Sequence, residues 1–265
     1  MGTISPDFAD ETVVVTGGSS GIGRAVALGF GEAGATVVNA DVRADPKDRA
    51  AETAAGDAET PTHERIDEET PGRGVFAETD VADPAELGSV VEAAREFGGV
   101  DVMVNNAGIH VSREFLDVTP EEFERLHAVN ARGVFFGTQA AARDMLDRES
   151  DGVVVNTASL TSARPEWEHS HYAATKGAVE MTTRSAALEL AQYGIRVNAV
   201  APGAVATEIT EGWSVRASEE VGGGREPPTR AGRPDDLRDA YLYLASEGAD
   251  YVTGETLWVD GGGKL

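Results

Sequence analysis

A tyrosine and a lysine four residues apart, Tyr172 and Lys176 in Y-A-A-T-K, are the residues best suited to chemistry in this sequence. On a helix, residues four apart share a face, so the lysine ammonium can lie beside the phenol. Its positive charge favours the phenolate, and we expect it to lower the pKa of Tyr172 below the usual value of about 10. Such a phenol can exchange a proton with an alcohol or a carbonyl. Ser159, thirteen residues upstream, offers a hydroxyl that can donate to and accept from the reacting oxygen.

The segment T-G-G-S-S-G-I-G, Thr16 to Gly23, joins a predicted strand to a predicted helix. Glycines let the backbone approach a pyrophosphate, and the helix N-terminus presents free N–H groups and a positive dipole end. Asp41, 24 residues after Gly17, can accept hydrogen bonds from the hydroxyls of an adenine ribose. An acid there repels a 2′-phosphate and favours NAD, while Arg43 within reach leaves NADP possible. With the phenol, this pattern predicts hydride transfer to or from a nicotinamide cofactor.

Each of these signals has a structural alternative when it stands alone. A Tyr-x-x-x-Lys pair is most often a surface pair on a helix, and a glycine-rich turn also closes ordinary β–α junctions. Asp41 alone could cap a turn, and Asn130 alone could mark a helix kink. The spacing of all of them in one chain favours the functional interpretation.

Together with N-N-A-G at Asn105–Gly108, these motifs resemble the short-chain dehydrogenase/reductase family, whose cofactor turn reads T-G-x-x-x-G-x-G and whose catalytic motif reads Y-x-x-x-K. The resemblance extends from Thr16 to Gly262. It implies a catalytic tetrad of Asn130, Ser159, Tyr172 and Lys176. In this tetrad the serine polarises the substrate and the tyrosine is the general acid/base. The lysine lowers the tyrosine pKa and holds the ribose, and the asparagine positions a water that relays protons.

The resemblance also implies which residues bind the cofactor, which we expect to be NAD, with NADP possible. Asp80 and Val81 are expected near adenine, and Pro202–Thr207 around the nicotinamide carboxamide. The full set of expected contacts is Gly17, Ser19, Gly21, Ile22, Gly23, Asp41, Asp80, Val81, Asn106, Ala107, Gly108, Tyr172, Lys176, Pro202, Gly203, Val205 and Thr207.

The stretch between Ser159 and Tyr172, L-T-S-A-R-P-E-W-E-H-S-H, is polar and aromatic. It is similar to the corresponding segment of glucose 1-dehydrogenase-type members of the family. Hydroxyl-rich substrates need a buried partner for each hydroxyl. Four residues offer such partners: His110, Arg164, Glu166 and His169. We therefore expect a small-molecule substrate, a sugar or sugar acid. No metal site is expected, because the spacing of His169 and His171 is typical of loop residues rather than ligands.

Two other functions are compatible with the motifs. The first is a 3-oxoacyl-[acyl-carrier-protein] reductase-like ketoreductase, whose acyl partner is carried by an acidic protein. Docking such a partner needs a basic surface, which the overall charge disfavours. The second, from a different class, is a non-catalytic dinucleotide-binding redox sensor. A pure sensor has no need for Tyr172 and Lys176 together, so the intact tetrad favours an enzyme.

Composition excludes several classes of function. The 22 basic and 46 acidic residues give a formal net charge of −24. We therefore expect no positively charged surface of the kind that binds nucleic acid or an anionic membrane. The absence of cysteine excludes disulfides and thiolate catalysis. No apolar run reaches the roughly 18 residues of a membrane span, and the first residues lack a signal-peptide pattern. A cytoplasmic location is therefore expected.

The acidity itself predicts adaptation to high salt. Closely spaced carboxylates bind water and hydrated cations, and salt screens their repulsion. Only Lys47, Lys176 and Lys264 are lysines. A halophilic protein fits this composition best, and the alternative is an acidic surface without salt adaptation.

Short β-branched runs alternate with longer helical stretches, which predicts a single-domain, Rossmann-like α/β fold over 1–265, with a doubly wound parallel sheet of about seven strands. The predicted strands are Thr12–Thr16, Thr36–Ala40, Val75–Glu78, Val100–Asn105, Gly152–Thr157, Arg196–Val200 and Thr256–Val259. The predicted helices are Ile22–Ala33, Ala85–Phe97, Pro120–Leu146, Tyr172–Tyr193 and Pro234–Ala245.

Two segments interrupt this alternation. Residues 44–73 are expected to form an acidic, solvated insertion with a helix followed by a long loop, and residues 208–233 a substrate lid. Family members usually form tetramers through helices equivalent to 120–146 and 172–193, so a homotetramer is expected. The apolar positions Val134, Phe135 and Ala187 fit such an interface, but they also fit ordinary core packing.

Overall fold

The computed structural model describes residues 6–46, 60–207, 209, 213–220, 228 and 230–265. Within these ranges, seven parallel strands form one sheet in the order β3-β2-β1-β4-β5-β6-β7. The strands are β1 (Thr12–Thr16), β2 (Thr36–Asp41), β3 (Arg73–Glu78), β4 (Val102–Asn105), β5 (Gly152–Thr157), β6 (Ile195–Pro202) and β7 (Thr256–Val259). The predicted α/β class and doubly wound parallel sheet are confirmed.

Helices cover both faces of the sheet. They are α1 (Gly21–Glu32), α2 (Thr62–Glu69), α3 (Pro84–Ala94), α4 (Pro120–His127), α5 (Gly133–Asp147), α6 (Ser170–Leu190), α7 (Trp213–Glu220) and α8 (Pro234–Ala245). One face packs against α1, α2 and α8, and the other against α3, α5 and α6. The inner strands are valine-rich because a parallel sheet is buried on both faces. No described helix is long and apolar enough to cross a bilayer.

The stretch predicted as one helix from Pro120 to Leu146 is two α-helices joined by a π-helical turn at Ala128–Arg132. Its start is as expected: Thr119 Oγ1 accepts the Glu122 N–H at 3.2 Å, and the Glu122 carboxylate accepts the Thr119 N–H. Hydrophobic periodicity located the ends of this stretch but could not detect the extra residue that a π turn contains.

The segment 44–73 differs from the expected loop where it is described. Helix α2 lies in its second half and is followed after three residues by β3. Ile66 of this helix is fully buried and packs against Gly31 of α1. Ile66 therefore anchors this half of the segment to the core, while the outer face of α2 is exposed. Residues 47–59 lie outside the described residues.

The strand order changes direction between β1 and β4: β2 and β3 lie on one side of β1, and β4 to β7 lie on the other. Val14 in β1 pairs with Val38 in β2 on one side and with Met103 in β4 on the other. The connections leaving β1 and β4 therefore diverge, which opens a crevice beyond the carboxyl ends of the strands.

Candidate active site

A cavity of about 970 Å³ occupies this crevice. The carboxyl ends of β2, β5 and β6 line it, together with residues that directly follow β1, β3, β4 and β7. Of the residues predicted from sequence, it brings together Gly17, Gly21, Ile22, Asp41, Asp80, Val81, Asn106, Ala107, Gly108, Ser159, Tyr172, Lys176, Pro202, Gly203, Val205 and Thr207. Asn130, Ser19 and Gly23 do not line it.

The turn between β1 and α1 depends on glycine. Gly17 and Gly21 have φ of +67° and +57°, in the left-handed region. A Cβ at Gly23 would lie 2.1 Å from the Gly17 carbonyl oxygen, so this glycine lets the turn close onto the helix. The α1 N-terminus therefore opens directly into the cavity, as a bound diphosphate requires.

Asp41, at the end of β2, is fixed by this turn. Its carboxylate accepts the Ser19 backbone N–H at 3.1 Å. The Ser19 side chain is buried, donates to the Arg43 carbonyl at 2.7 Å and accepts from Asn39. Ser19 thus holds the loop after β2 against the turn, while Asp41 lines the cavity.

Sequence patterns missed a support behind the turn. The Thr62 hydroxyl of α2 donates to the Gly18 carbonyl at 2.9 Å and accepts from the buried guanidinium of Arg24 at 2.9 Å. Arg24 also donates to the Thr60 carbonyl. This network joins the acidic segment to the cofactor turn. No short motif identifies it, because its members are 38 residues apart.

The N-N-A-G segment braces the other side of the turn. The Asn106 side chain donates to the carbonyls of Thr16 and Gly17, at 3.1 and 3.4 Å. The Thr16 hydroxyl accepts the backbone N–H groups of Asn106 and Ala107. These bonds hold β4 and the start of the turn together where their ends meet the cavity.

Ser159, Tyr172 and Lys176 lie together deeper in the cavity. The Ser159 hydroxyl lies close enough to Tyr172 to act on its pKa, and Lys176 Nζ lies 5.7 Å from the centre of the Tyr172 ring. Lys176 Nζ donates to the Thr157 carbonyl at 2.7 Å. Among the described residues no carboxylate pairs with this ammonium, so its remaining N–H groups can serve ligand hydroxyls.

The electrostatics of the pair differ from the expectation that Lys176 lowers the tyrosine pKa. Burial raises the pKa of Tyr172 to about 12, although the nearby Ser159 hydroxyl acts in the opposite direction. Burial likewise lowers the pKa of Lys176 to about 8. Desolvation disfavours the charged form of each group, and burial is the largest cause of both shifts.

Asn130 lies in the π-helical turn and is fully buried. Its side chain accepts the Ile109 N–H and donates to the Ile109 carbonyl, both at 2.9 Å. It also donates to Thr175 Oγ1 at 3.3 Å, one turn beyond Tyr172. Asn130 therefore ties the loop after β4 to helix α6 without lining the cavity itself.

Aromatic side chains form one wall of the substrate side of the cavity. The His110 ring stacks on His169, with centres 4.6 Å apart, and meets the Tyr172 ring edge-on at 4.8 Å. Trp213 of α7 lies 6.1 Å from His110 and donates through its indole N–H to the Val205 carbonyl. Burial, followed by the charges of His169, His171 and Arg216, lowers the pKa of His110 to about 4.

The residues present fit a nicotinamide dinucleotide. The left-handed glycines and the open α1 N-terminus suit its diphosphate, and Asp41 suits the hydroxyls of a ribose. The Lys176 ammonium, which forms no ion pair among the described residues, suits a second ribose near Tyr172. Among the described residues, no group of three or more His, Asp or Glu side chains is arranged to hold a metal ion.

Comparison with known proteins agrees with this geometry. A protein-family model described as enoyl-(acyl carrier protein) reductase matches residues 17–264. The chain is 41% identical to 3beta-hydroxysteroid dehydrogenase 1 of Eggerthella lenta, covering 98% of this chain and 95% of that protein. It is 37% identical to an L-rhamnose 1-dehydrogenase (NAD(P)(+)) of a Sphingomonas species, covering 95% of each. A crystal structure of 3-ketoacyl-(acyl-carrier-protein) reductase from Brucella melitensis complexed with NADH superposes with a TM-score of 0.81 at 32% identity, covering 98% of this chain and 100% of that one.

Proposed function

The chain belongs to the short-chain dehydrogenase/reductase family and is an NAD(P)-dependent oxidoreductase acting on a CH–OH group, and we propose that its substrate is a sugar or a sugar acid. The observation that carries this proposal is the position of Ser159 and Tyr172 beside Lys176, in a cavity whose substrate side has polar as well as aromatic side chains. His169, Arg164 and Glu166 line that side.

We assign roles to the site residues from their contacts. In the oxidation direction, the substrate carbon loses a hydride. The Tyr172 phenolate takes the hydroxyl proton as the carbonyl forms. When bound, the nicotinamide ring accepts that hydride, or donates it in reduction. Ser159 donates to the reacting oxygen, and Lys176 stabilises the phenolate and binds ribose. Asn130 orients the loop and the helix that carry these groups.

The pKa of Tyr172 must fall for this chemistry to run near neutral pH. Lys176 supplies one positive charge, and an oxidised nicotinamide ring supplies a second when it is bound. Both charges favour the phenolate that burial alone disfavours. We therefore expect the phenol to become an effective base only in the complex with oxidised cofactor.

We propose NAD as the preferred cofactor, with NADP as a weaker one. The supporting observation is the Asp41 carboxylate, which is fixed by the Ser19 N–H at the cavity edge. This charge opposes a 2′-phosphate and accepts from ribose hydroxyls.

A substrate panel tests the proposed class. The enzyme is assayed in molar KCl with NAD and NADP against aldoses, sugar acids, 2,3-butanediol, a 3-hydroxysteroid and a 3-oxoacyl thioester. Turnover of an aldose or a sugar acid with the highest kcat/KM is the expected result. Turnover of the thioester with no activity on any sugar would favour the ketoreductase alternative, supported by the likeness to the Brucella reductase. Preference for the steroid would favour a hydroxysteroid dehydrogenase, supported by the Eggerthella relative.

We propose that part of segment 208–233 covers the substrate. Ile209, Trp213 and Pro228 line the cavity, and the Trp213 indole bonds to Val205. Residues 208, 210–212, 221–227 and 229 lie outside the described residues. Replacement of Trp213 by alanine is expected to raise the substrate KM more than the cofactor KM.

We propose a homotetramer that forms through the outer faces of α4, α5 and α6. Val134 and Ala187 are buried within the single chain, so of the three apolar positions considered, only Phe135 remains half exposed. Leu188 and Met181 of α6 are exposed by 82% and 58%. Covering such side chains favours association. Light scattering after size-exclusion chromatography in high salt is expected to give four times the chain mass.

We also propose a cytoplasmic, salt-adapted protein. Use of a nicotinamide cofactor supports the cytoplasmic location. The net charge of −24 supports adaptation to high salt. Repulsion among the carboxylates weakens as salt screens it. The melting temperature is therefore expected to rise between low salt and molar KCl, and an unchanged value would contradict the adaptation.

A further inference from the structure

The Ser159 hydroxyl accepts two hydrogen bonds, and both come from one residue. Ser159 directly precedes the 3₁₀ turn Leu160–Ser162 and lines the cavity. Its Oγ accepts the Thr161 backbone N–H at 3.2 Å and the Thr161 side-chain hydroxyl at 3.0 Å. Thr161 is buried at the wall of the cavity. A residue that the proposed mechanism does not use therefore contacts an oxygen that it does use.

These two bonds decide what the Ser159 hydroxyl can still do. A hydroxyl has one proton to donate and two lone pairs that accept. With both lone pairs taken by Thr161, the Ser159 oxygen has none left for a ligand, and its single proton remains free for donation. The Ser159 hydroxyl also lies near Tyr172 and acts to lower the pKa of that phenol, as a donor to the phenolate does.

The direction of this donation matters when an alcohol is oxidised. The substrate hydroxyl must give its proton to the Tyr172 oxygen while its own oxygen accepts from Ser159. If the Ser159 oxygen had a free lone pair, the substrate hydroxyl could donate to Ser159 instead, and Tyr172 would lose the proton it must take. Donation to the Ser159 oxygen also polarises its O–H, which makes that hydroxyl a better donor.

We propose that Thr161 is a positioning residue for the reaction: its N–H and its hydroxyl saturate the Ser159 oxygen, so that Ser159 acts only as a donor to the reacting oxygen. This inference rests on the proposed function for the roles of Ser159 and Tyr172, but it holds for any CH–OH substrate. Thr161 then acts through Ser159, and not through contact with the substrate or through the stability of the turn.

Thr161→Val removes the hydroxyl and nearly keeps the size of the side chain. The variant is assayed with NAD and the substrate that has the highest kcat/KM in the panel above. Its kcat should fall by about three- to tenfold, as expected for one neutral hydrogen bond, without a rise of the substrate KM. The pH at which kcat rises should move upward, because the phenolate has a weaker donor. Thr161→Ser keeps the hydroxyl and should stay within about twofold of the wild type.

Ser162→Ala is the matched control in the same turn. The Ser162 hydroxyl lies 2.5 Å from the Ser159 backbone carbonyl oxygen and 2.6 Å from a Glu180 carboxylate oxygen, so it bonds to the main chain of Ser159 rather than to its hydroxyl. Its loss should lower the melting temperature and leave kcat and the pH dependence of kcat unchanged. Affinity for NADH, measured by nucleotide fluorescence, reports whether each variant is folded.

Removal of the Ser159 hydroxyl separates an action through Ser159 from a direct one. In a Ser159→Ala background, Thr161→Val should cause no further loss of kcat, because the oxygen that it saturates is gone. The same loss in both backgrounds would overturn the proposal. A raised substrate KM as the main effect of Thr161→Val would also overturn it, as would an equal fall of kcat and an equal pH shift in Ser162→Ala.

The outcomes distinguish this proposal from the proposed function. A wild-type kcat in Ser159→Ala would overturn the assigned mechanism and the role of Thr161 together. If Ser159→Ala is impaired and Thr161→Val is not, the mechanism stands and only the role of Thr161 is wrong. If the panel favours a steroid or a thioester over every sugar, the sugar assignment is wrong, and the same comparison made with that substrate decides the role of Thr161.

Discussion

The carboxyl ends and the amino ends of the seven strands differ in the charged groups that they bring together. We call these two ends of the sheet its carboxyl edge and its amino edge. At the carboxyl edge, loops diverge around a cavity that holds a buried ammonium, Lys176, and a buried phenol, Tyr172. At the amino edge, Glu11, Asp101 and Asp151 each directly precede a strand, and the charges of Asp101 and Asp151 help to raise the pKa of Glu11. Asp101 is partly neutralised by Arg148, at 3.3 Å.

This difference follows from parallel topology. The carboxyl ends meet where connections spread apart, so a ligand site forms there and its charges must be matched to a ligand. The amino ends lie where the chain comes back from each helix to the sheet, and no ligand there requires a particular charge. We therefore expect changes at the carboxyl edge to alter kinetics, and changes at the amino edge to alter stability alone.

The largest effect is expected from Tyr172→Phe. Removing the proton acceptor should lower kcat by about 10²- to 10⁴-fold, while the affinity for NADH changes far less. Steady-state kinetics and nucleotide fluorescence measure the two quantities.

Tyr241→Phe is the matched control for this change. Tyr241 is a second fully buried tyrosine near the site, and its hydroxyl lies 2.8 Å from the Thr157 hydroxyl. Its loss should lower kcat by less than about tenfold, because it removes one neutral hydrogen bond. Equal losses in the two variants would contradict proton transfer by Tyr172.

A smaller effect is expected from Asp41→Asn, which keeps a side-chain oxygen for the Ser19 N–H but removes the charge. The kcat/KM ratio of NAD to NADP should fall by about tenfold, since a charge-assisted hydrogen bond and a repulsion are both lost. Parallel assays with the two cofactors measure this ratio. An unchanged ratio would show that Asp41 does not set the preference.

Thr62→Val tests the support behind the turn, where the effect should be smaller again. Loss of the hydroxyl that joins Arg24 to the Gly18 carbonyl should raise the cofactor KM by about three- to tenfold and cost about 1–3 kcal/mol of stability. The substrate KM should change less.

Thr70→Val provides the control at the end of the same helix. Thr70 donates to the Ile66 carbonyl and has no contact with the turn. Its loss should lower the melting temperature without moving the cofactor KM. A parallel rise of KM in both variants would indicate that α2 acts only through general stability.

The smallest effect is expected at the amino edge, from Glu11→Gln. Burial, followed by the charges of Asp101, Glu247, Asp151 and Asp7, raises the pKa of Glu11 to about 7. A raised carboxyl pKa means that the folded state binds the proton more tightly than the unfolded one, so stability falls as pH rises from about 4.5 to about 7.

Glutamine removes this dependence. The variant should melt about 2 °C above the wild type at pH 8, and close to it at pH 4. Molar KCl should reduce the difference, and kcat should not change. A loss of kcat in this variant would break the separation between the two edges.

The sequence predicted the parts of this molecule that depend on local backbone chemistry. Gly17 and Gly21 are identifiable because only glycine suits their positive φ, and the strands because valine-rich runs suit a sheet buried on both faces. The start of a helix at Pro120 was also predicted, and there Thr119 and Glu122 form a capping box between neighbouring residues.

Features that depend on tertiary contacts escaped sequence reasoning. Thr62 bonds to Gly18 across 44 residues, and its part of the chain reads as a polar loop. Lys176 and Tyr172 were correctly placed on one helix face, but burial, which decides their pKa values, comes from the surrounding loops. The His110–His169 stack joins two loops 59 residues apart in number and leaves no pattern in either.

The π-helical turn at Ala128–Arg132 has a consequence for how this chain could change by insertion or deletion. Its Gly133 N–H bonds to the Ala128 carbonyl, five residues earlier, so the turn holds one residue more than an α-helix would. Deleting one residue there would leave a continuous α-helix, and the side chains beyond it would keep about the same facing, because a π turn absorbs its extra residue locally. Val134 and Thr138 would stay near their packing positions, whereas Asn130 would lose its alignment with Ile109. The turn is therefore the place in this helical stretch where one residue can be lost with little change in packing, but with loss of the contact between Asn130 and the loop after β4.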